Sequence, residues 1–428
     1  MTLPSQPTTA SLPPNFQRLA AANLAAQSAE QISLAAVPMI AVLSLGAGAG
    51  QIGVLAAAQT LPFFLLAIPF GMLADRMPRP LIMRWAEIVR TLALLGLLLC
   101  AALGASSLTL LAVLGFLGAT GTVAFSVAAP AYVPSLVARE QLPRANARLE
   151  LARSAAFAAG PALSGALVAW TGASAAFVVA AVLSAGAVAL LWQLQEPRPQ
   201  ITAHKRKPLL ELQEGWRAVW HQDWLRAILL TSIAWNISWF ILHAAFVPYA
   251  MRALGMSADR VGLSLAAYGA GMVVGALIAT RVMARIKLGL AIMLGPACSV
   301  IAIFGLVATQ WLQGSVTAHW LTGASFFIFG VGPIIWTIST TTLRQSITPA
   351  AVLGRVTAIF LTVNMGARPV GALLGAAVGW MVGAWASTAD THLAERLCLW
   401  LAALGFVIQL VIIACSSVRK LQAVPDAK

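Results

Sequence analysis

The sequence predicts an all-helical membrane protein with twelve spans arranged as two six-helix halves. Three observations carry this. Of 428 residues, 60% are hydrophobic and 9% charged, against about 45–50% and roughly 25% in a soluble domain. The mean hydropathy is +0.86, so one water-soluble core cannot hide the apolar residues. Basic residues fall in short clusters between long apolar runs, the distribution of a chain threaded back and forth across a bilayer. This excludes a soluble enzyme, a disordered chain and a secreted disulfide scaffold. At about 20 apolar residues per span, the apolar content suffices for about a dozen spans.

Taken in order, the apolar runs place spans at 17–45, 51–74, 81–104, 107–136, 145–170, 173–194, 225–250, 258–282, 288–310, 319–346, 352–383 and 393–416. Residues 1–15, rich in Pro, Ser and Thr, read as a disordered tail without a cleavable signal peptide. Residues 16–194 form the first half, 195–224 a connector, 225–416 the second half and 417–428 a C-terminal tail. The connector opens with the basic stretch EPRPQITAHKRKP and continues with Trp216, Trp220 and Trp224 four residues apart. That stripe suits an amphipathic helix, either lying on the membrane face or packed on the bundle. Its acids Glu211, Glu214 and Asp223 are expected to be solvated.

Alternate links carry the Lys and Arg: Arg76, Arg79 and Arg84; Arg139 and Arg144; Arg198, Lys205, Arg206 and Lys207; Arg281, Arg285 and Lys287; Arg344 and Arg355; Arg419 and Lys420. The other side holds only Arg252, Arg260 and Arg396. The positive-inside rule then puts both termini in the cytoplasm. The net charge of +14 follows from this topology, so no nucleic-acid partner is expected; membrane lipid and a small-molecule substrate are, for a monomer. The halves share short repeats. GALVAW at 165–170 matches GAAVGW at 375–380, and GMLA at 71–74 matches GALI at 275–278. Parallel repeats of this kind put a binding site between the halves, near the bilayer midplane.

Residues 71–80 read GMLADRMPRP. They resemble the signature loop between spans two and three of the major facilitator superfamily, with Pro78 where the family has Gly. Residues 134–146 (PSLVAREQLPRAN), Gly160-Pro161 followed by Gly165, and Arg344 followed by Pro349, Gly354 and Arg355 are similar to its enterobactin-exporter and macrolide-efflux branch. The resemblance covers roughly residues 15–415. It implies the major facilitator fold, proton-driven export of a small, largely apolar molecule such as a siderophore, drug or metabolite, and a bacterial inner membrane location. It also implies that the loop of Gly71, Asp75, Arg76 and Arg79 clamps the cytoplasmic side with the region of Arg355. Gly160, Pro161 and Gly165 resemble the antiporter motif of span five, with Ser164 replacing a glycine. Span four, 107–136, lacks the arginine of many drug antiporters and holds no charge.

Glu30 is the sharpest single residue. It lies about 18 Å along span one from Arg18 at about 1.5 Å per residue, near the bilayer centre. An ionised carboxylate there is costly, so it should face the interior, pair, or carry a proton. A structural carboxylate held in hydrogen bonds is the competing reading. Asn23, Gln27 and Leu34 share its helix face and are cavity candidates. Arg368 lies about 20 Å along span eleven from Arg355 by the same rise, a depth similar to that of Glu30. A Glu30–Arg368 pair that forms in one conformation and breaks in another would couple protonation to movement; an Arg bonded to backbone or to Asn364 is the alternative. On span seven, Trp235, Asn236, Trp239, His243 and Phe246 fall on one broad face suited to an apolar substrate with a few polar groups. His243 can take a proton or serve as an interhelical hydrogen-bonder. Gln59, Trp336 and Asn364 are weaker cavity candidates.

Gly371, Gly375, Gly379 and Gly383 recur every four residues on span eleven, and Gly271 and Gly275 on span eight. Such spacing lets backbones approach closely, either as a moving contact between halves or as static packing. The run from Gly48 to Gly53 fits GxGxxG but follows no strand, and no Walker A, HExxH or GxSxG motif occurs. No enzyme chemistry, metal or cofactor is expected; the proton gradient supplies the energy. Cys100, Cys298, Cys398 and Cys415 lie far apart in apolar runs and imply no disulfide. An importer of the same fold and a non-transporting sensor remain as other functions of such a chain.

Overall fold

The computed structural model describes residues 12–74, 76–138, 141–194, 208–385 and 392–423. Within them run thirteen α-helices: α1 Pro14–Leu45, α2 Ala49–Ala74, α3 Arg79–Ala102, α4 Leu108–Leu136, α5 Leu142–Thr171, α6 Ala173–Trp192, α7 Pro208–His221, α8 Asp223–Pro248, α9 Ala258–Arg285, α10 Leu288–Ala308, α11 Val316–Ile347, α12 Ala350–Trp385 and α13 Leu393–Cys415. All except α7 are long and apolar enough to cross a membrane, giving twelve candidate spans. Their ends follow local chemistry. Gly46 takes a left-handed conformation (φ 60°) after α1, which only glycine adopts cheaply. Ser107 and Ser315 cap α4 and α11 by accepting hydrogen bonds from Leu110 N and Ala318 N, each at 3.2 Å. Pro248 is followed by a π-helical turn, Tyr249–Ala253, which extends α8 beyond its apolar run and carries Arg252.

Pairing repeats between the halves. In the first half α1 packs on α5 and α6, α3 on α4 and α6, and α2 on α4. In the second half α8 packs on α12 and α13, α10 on α11 and α13, and α9 on α11. The halves meet through α2 with α12 and α5 with α9. Glycine sets these approaches: a Cβ on Gly53 would stand 2.7 Å from Ala372 O, and one on Gly262 2.9 Å from Gly165 Cα. Gly50 abuts Gly379, and Gly269 abuts Ala158. These contacts lie level with the central cavity or beyond it, toward the end opposite the chain termini. At that end the Arg252 guanidinium sits beside Gly46 and Gly48.

The other repeated glycines pack inside one half. Gly271 and Gly275 approach Phe327 and Val331 of α11, and Gly371 and Gly375 approach Ile237 and Ala244 of α8. Close packing is therefore their role here, and the half-to-half contact falls to Gly165, Gly379 and partners outside the repeat. Gly160 admits Gln31 of α1, and Ser164 donates a hydrogen bond to Ile32 O at 2.9 Å, so the replaced glycine ties α5 to α1.

Helix α7 packs on α12. Val219 is buried and Gly215 lies against Arg355, while Trp216 and Trp220 stack with centroids 5.3 Å apart on the exposed side. Glu214, expected to be solvated, forms an ion pair with Arg355. Asp223 pairs locally with Arg226 at 2.7 Å. The side chain of Glu211 lies outside the described residues.

Candidate functional site

A central cavity of about 340 Å³ lies between the halves, walled by α1 to α5 of the first and by α8, α9, α11 and α12 of the second. Glu30 reaches it because α1 turns the face of Glu30 and Leu34 inward while Ala26 and Ile32 pack behind. Its carboxylate is half-buried and opens into the cavity. Among the described residues it makes no hydrogen bond and no ion pair within 4.0 Å. Arg90, Arg368 and Arg153 act on it through space.

Arg368 enters from α12. Its guanidinium carbon lies 5.8 Å from the Phe240 ring centroid, a cation–π arrangement. Its Nε is buried without a hydrogen-bond partner, and among the described residues no carboxylate lies within 4.0 Å. Glu30 and Arg368 thus face the same space without touching. To the same cavity α8 supplies Trp235, Asn236, Trp239 and His243. The two tryptophans stack with centroids 5.3 Å apart. Trp235 donates its indole N–H to Ser299 Oγ at 3.1 Å, Tyr268 lies 4.9 Å from Trp239, and His243 rests on Phe240 at 5.8 Å. Leu34 and Gln59 also line the cavity.

Other cavity candidates fall elsewhere. Asn23 lies two turns below Glu30, where α1 meets α5, and donates to Leu149 O at 3.3 Å. Gln27 lies below the lining. Phe246 is buried with its ring 4.4 Å from Phe326, and Phe326 stands between it and the cavity. Trp336 packs against Gly295 where α10 meets α11, and Asn364 is half-buried outside the lining with its Oδ1 buried and unpartnered. Helix periodicity selects a face, but which part of that face meets the cavity depends on where neighbouring helices splay.

Three cavity-associated charges went unread in the sequence. Glu87 and Arg90 lie on α3, both buried, and pair at 2.7 Å. Arg90 also donates to Ala26 O at 3.1 Å and to Thr122 Oγ1 at 2.8 Å, and Ser184 donates to Glu87 Oε2 at 2.9 Å. Arg153 of α5 is held by Glu150, its Nε donating to Oε2 at 2.9 Å, and lies over the Phe157 ring. An acid and a base three residues apart inside an apolar window was the available signal for the first pair. Their nearness to Arg79 and Arg84 made them look like part of the basic link.

Of the signature loop, Asp75 lies outside the described residues. Arg76 is exposed, Arg79 half-buried, and open space surrounds the place where a Cβ on Gly71 would sit. Among the described residues the ion partner of Arg355 is Glu214. Pro161 lines the cavity, and its carbonyl meets Gly262 across the half-to-half contact. Among the described residues no three His, Cys, Asp or Glu side chains gather as a metal site would require.

Residues 19–372 match the Major Facilitator Superfamily. An uncharacterized MFS-type transporter, y4rN of Sinorhizobium fredii, is 28% identical over 335 residues, covering 76% of this chain and 79% of its own. The enterobactin exporter EntS of Citrobacter koseri is 29% identical over 369 residues, covering 83% of this chain and 82% of its own. A bacterial homologue of the iron transporter ferroportin superposes in its inward-facing state with a TM-score of 0.70 at 17% identity, covering 94% of this chain and 98% of that one. Its outward-facing state superposes with a TM-score of 0.59 at 15% identity, with the same coverage.

Proposed function

Because the chain belongs to the Major Facilitator Superfamily, we propose that this multi-pass membrane transporter is a proton-coupled exporter of a small molecule, working by alternating access around the central cavity. The observation that carries the reading is Glu30: a carboxylate at mid-span, open to the cavity and without a bound partner. Acids at that depth are retained where they do work. Export follows the direction named for the enterobactin exporters among its relatives. In a bacterial inner membrane, the basic links place both termini in the cytoplasm.

Glu30 holds a proton in one state and is ionised in the other. When ionised it is drawn toward Arg368 across the cavity; when protonated that attraction is lost. A charge whose interactions differ between two states shifts their balance, which is the requirement for coupling. Substrate and proton use the cavity in turn while the halves rock about it. The tight contacts of α2 with α12 and α5 with α9 toward the outer end, together with the greater likeness to an inward-facing relative, support an outer side that is sealed here.

Everted membrane vesicles test this. Substrate uptake into them is expected to require an imposed pH gradient, and Glu30→Gln to remove that dependence. Uptake that ignores the gradient, with a fully active Glu30→Gln protein, contradicts it.

A further inference from the structure

The cavity sorts its charges into two kinds. Arg90 is bonded to Glu87 at 2.7 Å, with only its Nε unpartnered, and Arg153 is bonded to Glu150, so each of these two bases carries its own counter-charge. What remains are one carboxylate, Glu30, and one guanidinium, Arg368, both lining the same space and neither bonded to anything else among the described residues except the Phe240 ring under Arg368. Unpaired charges at mid-membrane depth are costly. They are retained where a ligand completes them. The same cavity is lined by aromatic faces: Trp235, Trp239, Phe240, His243 and Tyr268.

We infer that the substrate is an aromatic zwitterion whose anionic group is taken by Arg368 and whose cationic group is taken by Glu30. This deepens the exporter reading and rests on the cavity being its transport site. A guanidinium offers a planar fork to a carboxylate, and the orphaned Nε of Arg368 gains an acceptor when one arrives. An ammonium group meets Glu30 with the stacked indoles of Trp235 and Trp239 nearby, which attract cations over their faces. The aromatic body of the ligand lies against that wall. The volume of about 340 Å³ suits a ligand of drug size. The arrangement also agrees in sign with antiport. A proton on Glu30 removes the partner of the cationic end, so proton and substrate compete for one carboxylate.

Three probes on one quinolone scaffold separate the two charges. Norfloxacin carries a carboxylate and an ammonium, nalidixate the carboxylate alone, and norfloxacin methyl ester the ammonium alone. Binding is read by equilibrium dialysis against the full-length protein in zwitterionic lipid nanodiscs, with empty nanodiscs subtracted. Norfloxacin is expected to bind more tightly than either single-charge probe. Arg368→Gln should weaken norfloxacin and nalidixate by about tenfold or more, the loss of one charged hydrogen-bonding partner, and leave the methyl ester no weaker. Glu30→Gln should weaken norfloxacin and the methyl ester and leave nalidixate no weaker. In each variant the probe that binds no weaker shows that the protein is folded.

Absence of saturable norfloxacin binding overturns the inference. So does nalidixate binding as tightly as norfloxacin, or a variant that weakens all three probes alike. Equilibrium binding needs neither a gradient nor a direction. Failed proton-driven export with this pattern intact counts against the exporter reading alone, and working export without the pattern counts against the zwitterion alone.

Discussion

Two acid–base sets lie at the heart of this molecule, and they are built in opposite ways. Glu87 and Arg90 share one helix, touch at 2.7 Å, and are bonded by Ser184, Thr122 and the Ala26 carbonyl, with Arg90 Nε alone left without a partner. Glu30 and Arg368 sit on helices of different halves, face one cavity, and touch neither each other nor another charge within 4.0 Å among the described residues. The first set is nearly complete: its low-dielectric surroundings strengthen every bond it makes, and only Arg90 Nε in it lacks a partner. The second set is unfinished, and so can respond. On the proposed reading, the carboxylate and guanidinium left without an ionic partner in the cavity are the ones that respond.

Substitutions sharpen this contrast. The largest effect on stability is expected from Arg90→Met, which strands the Glu87 carboxylate in the core at a cost of about 3–5 kcal/mol; thermal unfolding in detergent would register it as a sharply lowered melting temperature. Ser184→Ala removes one bond to the same carboxylate and should cost about 1–3 kcal/mol, visible by the same melt. Glu214→Ala breaks the more exposed ion pair to Arg355 and should cost no more than about 1 kcal/mol. Glu30→Gln should change the melt least, since no bond is lost, while gradient-driven transport falls by about tenfold or more. A melt in which Glu30→Gln is as damaging as Arg90→Met would erase the distinction.

Much of the fold was legible in the sequence, because a bilayer demands long apolar helices and fixes their length. The twelve spans agree with the helices to within a few residues. Glu30 was legible for the same reason: one acid in the long apolar run of α1 stands out against a solvent that penalises it. Glu87, Arg90 and Arg153 were not, since they follow closely on interfacial arginines, and only packing shows that they turn inward. Phe246, Trp336 and Asn23 have the chemistry of cavity residues but lie where helices close together. The glycine repeats of α9 and α12 were legible as close contacts, but not the partner helix, because spacing along one helix says nothing about which neighbour fills the groove. Glu214 against Arg355 joins residues 141 positions apart, a distance no local pattern reports.

Infrared difference spectroscopy of the protonated-carboxyl C=O stretch, recorded as the pH around the reconstituted protein is stepped, tests the working role of Glu30 most directly. A carboxyl band that rises and falls reversibly with pH in the unaltered protein and is absent from Glu30→Gln is the predicted result. The same titrating band surviving in Glu30→Gln would contradict the account, because the proton would then be carried elsewhere.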